Sequence, residues 1–172
     1  MKNRMIVGSL LVSLIVSVLF IRPVEPVSYK ARVGIYDNRA IAIAYAASKY
    51  NPVSEKMEEY KKAKDAGDEQ TVKQIEAWGE QHQRQLHRQG FCRVPVSDLL
   101  EHVKEQFPEL AKQLNVDVIA MQCDYSVQSV EVVDITNELA ALFDLSEKAL
   151  KNIANIKNQA PIDLDELDNH KD

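Results

Sequence analysis

The four residues Asp65-Ala66-Gly67-Asp68 constrain this chain more than any others. They supply, in order, a helix end, a glycine suited to a left-handed backbone and a fresh N-cap. Before them, Glu55–Ala66 is highly charged, with only Met57, Tyr60 and Ala63 forming a thin apolar line. After them, Asp68–Arg88 resumes a helical pattern, with Val72, Ile75, Trp78, His82 and Leu86 at three- and four-residue steps. The pattern predicts an αα-hairpin, an arm over residues 52–88 whose helices are each about 20–30 Å long at 1.5 Å per residue. The alternative is one continuous helix tolerating Gly67 at a cost of ~1 kcal/mol. The aspartates around the glycine favour the turn.

Met5–Ile21 carries no charge; Lys2 and Arg4 precede it, and Arg22-Pro23 ends it. A run of about 17 residues sits at the lower limit for spanning a bilayer. The stretch that follows offers no convincing small-x-small cleavage site. An uncleaved membrane anchor over residues 1–22, with Lys2 and Arg4 kept inside, is therefore preferred to a cleaved signal or a buried core helix. The expectation is a single-pass membrane protein with its C-terminal domain extracytoplasmic, in a periplasm. Pro23 and Pro26 mark a short spacer over 23–30.

What remains of the 172 residues suffices for one domain, over 31–158. Ala31–Tyr36 reads as a strand, and Asp37 and Asn38 as starters of a helix over Arg39–Tyr50. Asn51-Pro52 opens the arm. Ser97 or Asp98 caps a helix with Leu99, Leu100, Val103, Phe107, Leu110 and Leu114 on one stripe, split or kinked at Pro108 and closed by Asn115. Val116–Met121 and Val130–Val133 are strands; helices follow from Thr136 to Phe143 and over Ser146–Ile156. Residues 159–172 read as an acidic, flexible tail. The fold class is mixed α/β, a small sheet body with a projecting helical hairpin.

The chain is acidic, with net charge −5 and pI about 5.4, which argues against nucleic-acid binding. It has no glycine-rich phosphate loop, no GxSxG and no HExxH, so no catalytic residue, metal site or cofactor is expected. His82 and His87 lie five apart, on different helix faces. Cys92 and Cys123 read as two small buried hydrophobes or, in an oxidising compartment, as a disulfide; neither belongs to a CxxC pair. The stretch Gln81–Gln89 interleaves glutamine, histidine and arginine, and Trp78 sits on the arm rather than in the body. Either this is a solvated helix face, or Trp78, His82, Gln85 and Leu86 form a contact surface.

Val33-Gly34-Ile35-Tyr36-Asp37-Asn38-Arg39-Ala40 resembles the opening strand and turn of the Skp/OmpH-type periplasmic chaperones. Leu110–Met121 and Val133-Asp134-Ile135-Thr136 with its following helix, through residue 143, resemble the closing half of that fold. The resemblance implies a trimer, with strands from each subunit forming a central barrel and helical arms holding unfolded membrane proteins, without cofactor or catalytic residue. Here the arm is short beside that family's long arms, and the chain is acidic where well-known members are basic. The expected function is chaperone-like holding or assembly of other envelope proteins. The alternatives are a scaffold whose arms only mediate oligomerisation, and an uncharacterised envelope enzyme.

Overall fold

The computed structural model describes residues 29–169. Strand β1 (Ala31–Ile35) leads to Asp37, whose side chain accepts from the Arg39 backbone N–H and starts α1 (Asn38–Ala46). Helix α1 carries the buried Ala40, Ile41 and Ala44, small enough for neighbouring helices to approach closely. It ends well short of the expected Tyr50. The Ser48 hydroxyl donates to the Tyr45 carbonyl and accepts from the Tyr50 N–H, which turns the chain toward the arm.

The arm is α2 (Val53–Ala66) followed by α3 (Glu69–Phe91). Between them Gly67 adopts φ 69°, a left-handed conformation that costs an ordinary residue about 1–2 kcal/mol. The Gly67 and Asp68 N–H groups bond back to the Lys64 and Ala63 carbonyls, and the Asp68 carboxylate accepts from the Thr71 N–H. The two helices fold back on each other. Ala63 and Ile75 are buried in the seam, and the Tyr60 hydroxyl donates across it to the Glu76 carboxylate at 3.2 Å.

The helix expected from Ser97 to Leu114, split or kinked at Pro108, is α4 (Ser97–Leu100), a 3-10 turn (Lys104–Gln106) and α5 (Phe107–Leu114); the break comes before Pro108, which sits in the first turn of α5. Neither Ser97 nor Asp98 caps α4. The Asp98 carboxylate is already engaged, accepting from Gln85 Nε2 at 2.7 Å and Gln89 Nε2 at 2.8 Å. Strands β2 (Val118–Ala120) and β3 (Val130–Asp134) follow, then α6 (Thr136–Ala141), α7 (Glu147–Lys157) and α8 (Leu164–Asn169). The segment entering the tail is tied down rather than frayed. Arg39 Nη1 donates to the Gln159 carbonyl at 2.8 Å, and the Ile162 N–H to the Phe91 carbonyl at 2.9 Å.

The sheet runs β2-β1-β3, all parallel, with Val33 opposite both Val118 and Val132. Gly34 faces the helices, where a Cβ would lie 2.7 Å from Ile135 Cδ1. Ile119 and Tyr36, on the same face, pack against a core that includes Ile41, Val96, Leu139, Phe143 and Ile153. The opposite face carries half-buried Val33, Ile35, Val130 and Val132, with Val118 50% exposed. None of these joins the core cluster.

The expected anchor over residues 1–22 lies outside the described residues. Among the described residues no helix is long and apolar enough to cross a membrane. The longest, α3, carries as many acidic as basic side chains along its length. This corrects the expectation of a single-pass membrane protein with an extracytoplasmic domain.

Candidate functional site

Helix α1 and the inner faces of α2 and α3 enclose an open groove of about 780 Å³. Its floor is made of small residues: Ala42 and Ala46 on α1, Gly79 and Gly90 on α3. Gly79 needs its missing side chain for neither backbone nor packing. Its φ is not positive, and nothing lies within 4 Å of where a Cβ would stand. A glycine in mid-helix costs roughly 0.5–1 kcal/mol relative to alanine, so this one lowers stability and leaves the groove floor open. Around the floor stand Met57, 54% exposed, with Trp78, Leu86 and Phe91.

The groove wall is fixed at its middle by His82. Asn51 Nδ2 donates to the Ala46 carbonyl at the end of α1, which leaves Asn51 Oδ1 as an acceptor 3.1 Å from His82 Nε2. An amide oxygen can only accept, so His82 carries its proton on Nε2. Burial lowers the His82 pKa, which favours the neutral ring. The Trp78 ring stacks on it, with centroids 4.8 Å apart and planes within 16°. One histidine thus joins the end of α1, the start of the arm and the orientation of the tryptophan.

Of the four residues expected as a contact surface, Trp78, His82 and Leu86 line this groove. Gln85 does not; it turns to α4 and donates to the Asp98 carboxylate. Sequence reasoning missed Met57 and Phe91 as groove walls and Gly79 and Gly90 as its floor. The glycines did leave a signal: a spacing of 11 residues is three helical turns, which places both on one face.

No disulfide joins Cys92 and Cys123. Cys92 is 1% exposed at the end of α3, with its carbonyl accepting from the buried Asn38 side chain at 2.8 Å. Cys123 lies beyond β2, and its Sγ–H donates to the Tyr125 carbonyl at 3.2 Å. Among the described residues no group of three or more His, Cys, Asp or Glu side chains could hold a metal ion. Comparison with protein-family models, with characterised proteins and with solved structures returns no match.

Proposed function

We propose that this chain acts by binding, as a chaperone-like holdase or assembly factor that takes an apolar segment of another protein into the arm groove. The observation that carries this reading is the pair of exposed apolar walls, Met57 and Phe91, facing a floor of glycine and alanine. Large apolar side chains kept at the surface around a concavity favour a partner that removes them from water. The test is suppression of aggregation of a denatured protein by the full chain. Met57→Asp with Phe91→Asp is expected to abolish suppression while leaving the far-UV circular dichroism unchanged. Undiminished suppression by that variant refutes the groove.

A scaffolding role through self-association is the second reading, and the uncovered sheet face favours it. Parallel sheets are almost always covered on both faces, and here no helix among the described residues lies over Val33, Val118 and Val132. The Skp/OmpH-like architecture, with strands from several subunits closing together, would supply that cover. Light scattering on the full chain decides it. A Val118→Lys variant is expected to dissociate an oligomer built this way, and a monomer at all concentrations removes the reading.

A further inference from the structure

We infer that residues 159–164 form a releasable strap that caps α3 from a distant part of the chain and, through Phe91, controls the base of the arm groove. The strap stands on its own geometry; its effect on binding rests on the groove reading proposed above.

The end of α3 calls for such a cap. The last carbonyls of a helix have no partner within it and must be satisfied from elsewhere. Here two distant segments do this. The Asn38 side chain donates to the Gln89 carbonyl at 3.0 Å and to the Cys92 carbonyl at 2.8 Å. The Phe91 carbonyl, on the last residue of the helix, accepts from the Ile162 N–H at 2.9 Å. Asn38 is fully buried, whereas Ile162 is 37% exposed. One cap is built into the core; the other lies at the surface.

The surface cap is thinly held. Its other tie is the Arg39 guanidinium, which grips the Asp37 carboxylate through Nε and Nη2 and donates from Nη1 to the Gln159 carbonyl. Both ties end on the backbone of the strap, and no residue from 158 to 167 is buried. None of residues 159–164 belongs to the core cluster. Cys92 and Arg93 share with Pro161, Ile162 and Leu164 an open space of about 380 Å³ rather than a packed contact. A segment with exposed hydrogen bonds and little buried apolar surface opens locally, at far lower cost than global unfolding.

Release has two consequences. It uncovers Cys92, which is 1% exposed with the strap in place. It also leaves the Phe91 carbonyl without its partner, so the last turn of α3 frays. That turn carries Gly90 and Phe91, a floor residue and a wall residue of the groove. An event near the C-terminal end of the described chain thereby reaches the groove through one hydrogen bond.

Cys92 serves as the reporter. With Cys123→Ser it is the one thiol of the full chain, and its reaction with dithionitrobenzoate is followed by absorbance. Over urea concentrations below the unfolding transition the rate should change less than about twofold, because local opening exposes little surface. Ile162→Pro removes the N–H that caps Phe91 and should raise the rate at least tenfold at an unchanged urea midpoint. Ile162→Ala keeps that N–H and should raise it less than threefold. Aggregation suppression should fall at least threefold in Ile162→Pro and stay at the parent level in Ile162→Ala. A steep urea dependence in the parent means that Cys92 is reached only by global unfolding, and overturns the strap. Equal rates in the two Ile162 variants overturn it as well. Faster labelling of Ile162→Pro with undiminished suppression overturns the link between strap and groove. If the parent suppresses no aggregation, the groove reading and that link fail together, while the labelling still decides the strap.

Discussion

The arm and the sheet both keep apolar side chains at the surface, but at different structural cost. Each arm helix pairs its interior backbone groups within itself, so Met57 stays exposed without its backbone needing a partner from outside the helix. The sheet cannot do this, because among the described residues β2 and β3 are both edge strands and one face of β1 has no helix over it. The arm's apolar surface is therefore surplus to its own folding, whereas the sheet holds its place through Gly34, Ile135 and the core beneath. Surplus surface can be covered by a partner without disturbing the elements that carry it.

The largest effect that would break this contrast comes from pairing a core and an arm substitution. Phe143 is fully buried, with edge-on ring contacts to Tyr45 and Tyr50 at 6.4 Å and 6.1 Å. Phe143→Ala should cost about 3–5 kcal/mol in urea unfolding. Met57→Ala should stay within about 0.5 kcal/mol of the parent. A comparable loss at Met57 would show that the arm's apolar wall serves stability after all. Next comes Gly34→Val, whose side chain must displace Ile135 from under the central strand. It should cost about 1–3 kcal/mol by overpacking, read as a lower urea midpoint at unchanged slope.

Acid separates the two regions further. Asp37 and Asp134 stand at the carboxyl ends of β1 and β3. Burial pushes both carboxyls up. For Asp37 the hydrogen bonds and charge of Arg39, helped by Arg93, outweigh burial; for Asp134, Lys157 and Thr136 do. Both end below the usual carboxylate value, so the folded state holds them ionised more readily than the unfolded chain does. Their contribution is complete above about pH 4 and is lost as pH falls through their depressed values. The melting temperature should decline below about pH 4, and Lys157→Met, which removes the 2.7 Å partner of Asp134, should make that decline shallower. An equally steep acid profile in the variant would assign the loss elsewhere.

The arm was the most legible part in sequence because its signals are local: Gly67 and Asp68 declare the turn within a few residues. The strands were legible as strands, but not as a parallel sheet with β1 at its centre. That pairing depends on contacts between Val33 and residues 118 and 132, which no local pattern encodes. Arg39 shows the same limit. It reads as the exposed first residue of a helix, yet it is 3% exposed, held by Asp37 beside it and by the carbonyl of Gln159 from the far end of the chain. In the groove, Trp78, His82 and Leu86 announced themselves by spacing along one helix. Met57 was read as part of a thin apolar line, and only the neighbouring α1 turns that line into a wall. The helix stripe from Leu99 to Leu114 was legible as apolar and as interrupted at Pro108, but the earlier break between Leu100 and Phe107 was not.

The smallest effects discriminate most finely, because they set two glycines of one arm against each other. Gly67 stands at φ 69°, where an added Cβ meets backbone strain, and Gly67→Ala should destabilise by about 1 kcal/mol. Gly79 stands in the interior of α3 with open space around its missing Cβ. Alanine has the higher helix propensity, and Gly79→Ala should stabilise by roughly 0.5–1 kcal/mol, seen as a higher melting temperature. The two substitutions are chemically identical and should move stability in opposite directions. If Gly79→Ala also weakens aggregation suppression while raising stability, unfolding cannot explain the loss, and the glycine is held for the groove. If Gly79→Ala destabilises instead, the open floor is part of the arm's own packing, and the distinction between surplus and structural surface fails in the helix where it was drawn most sharply.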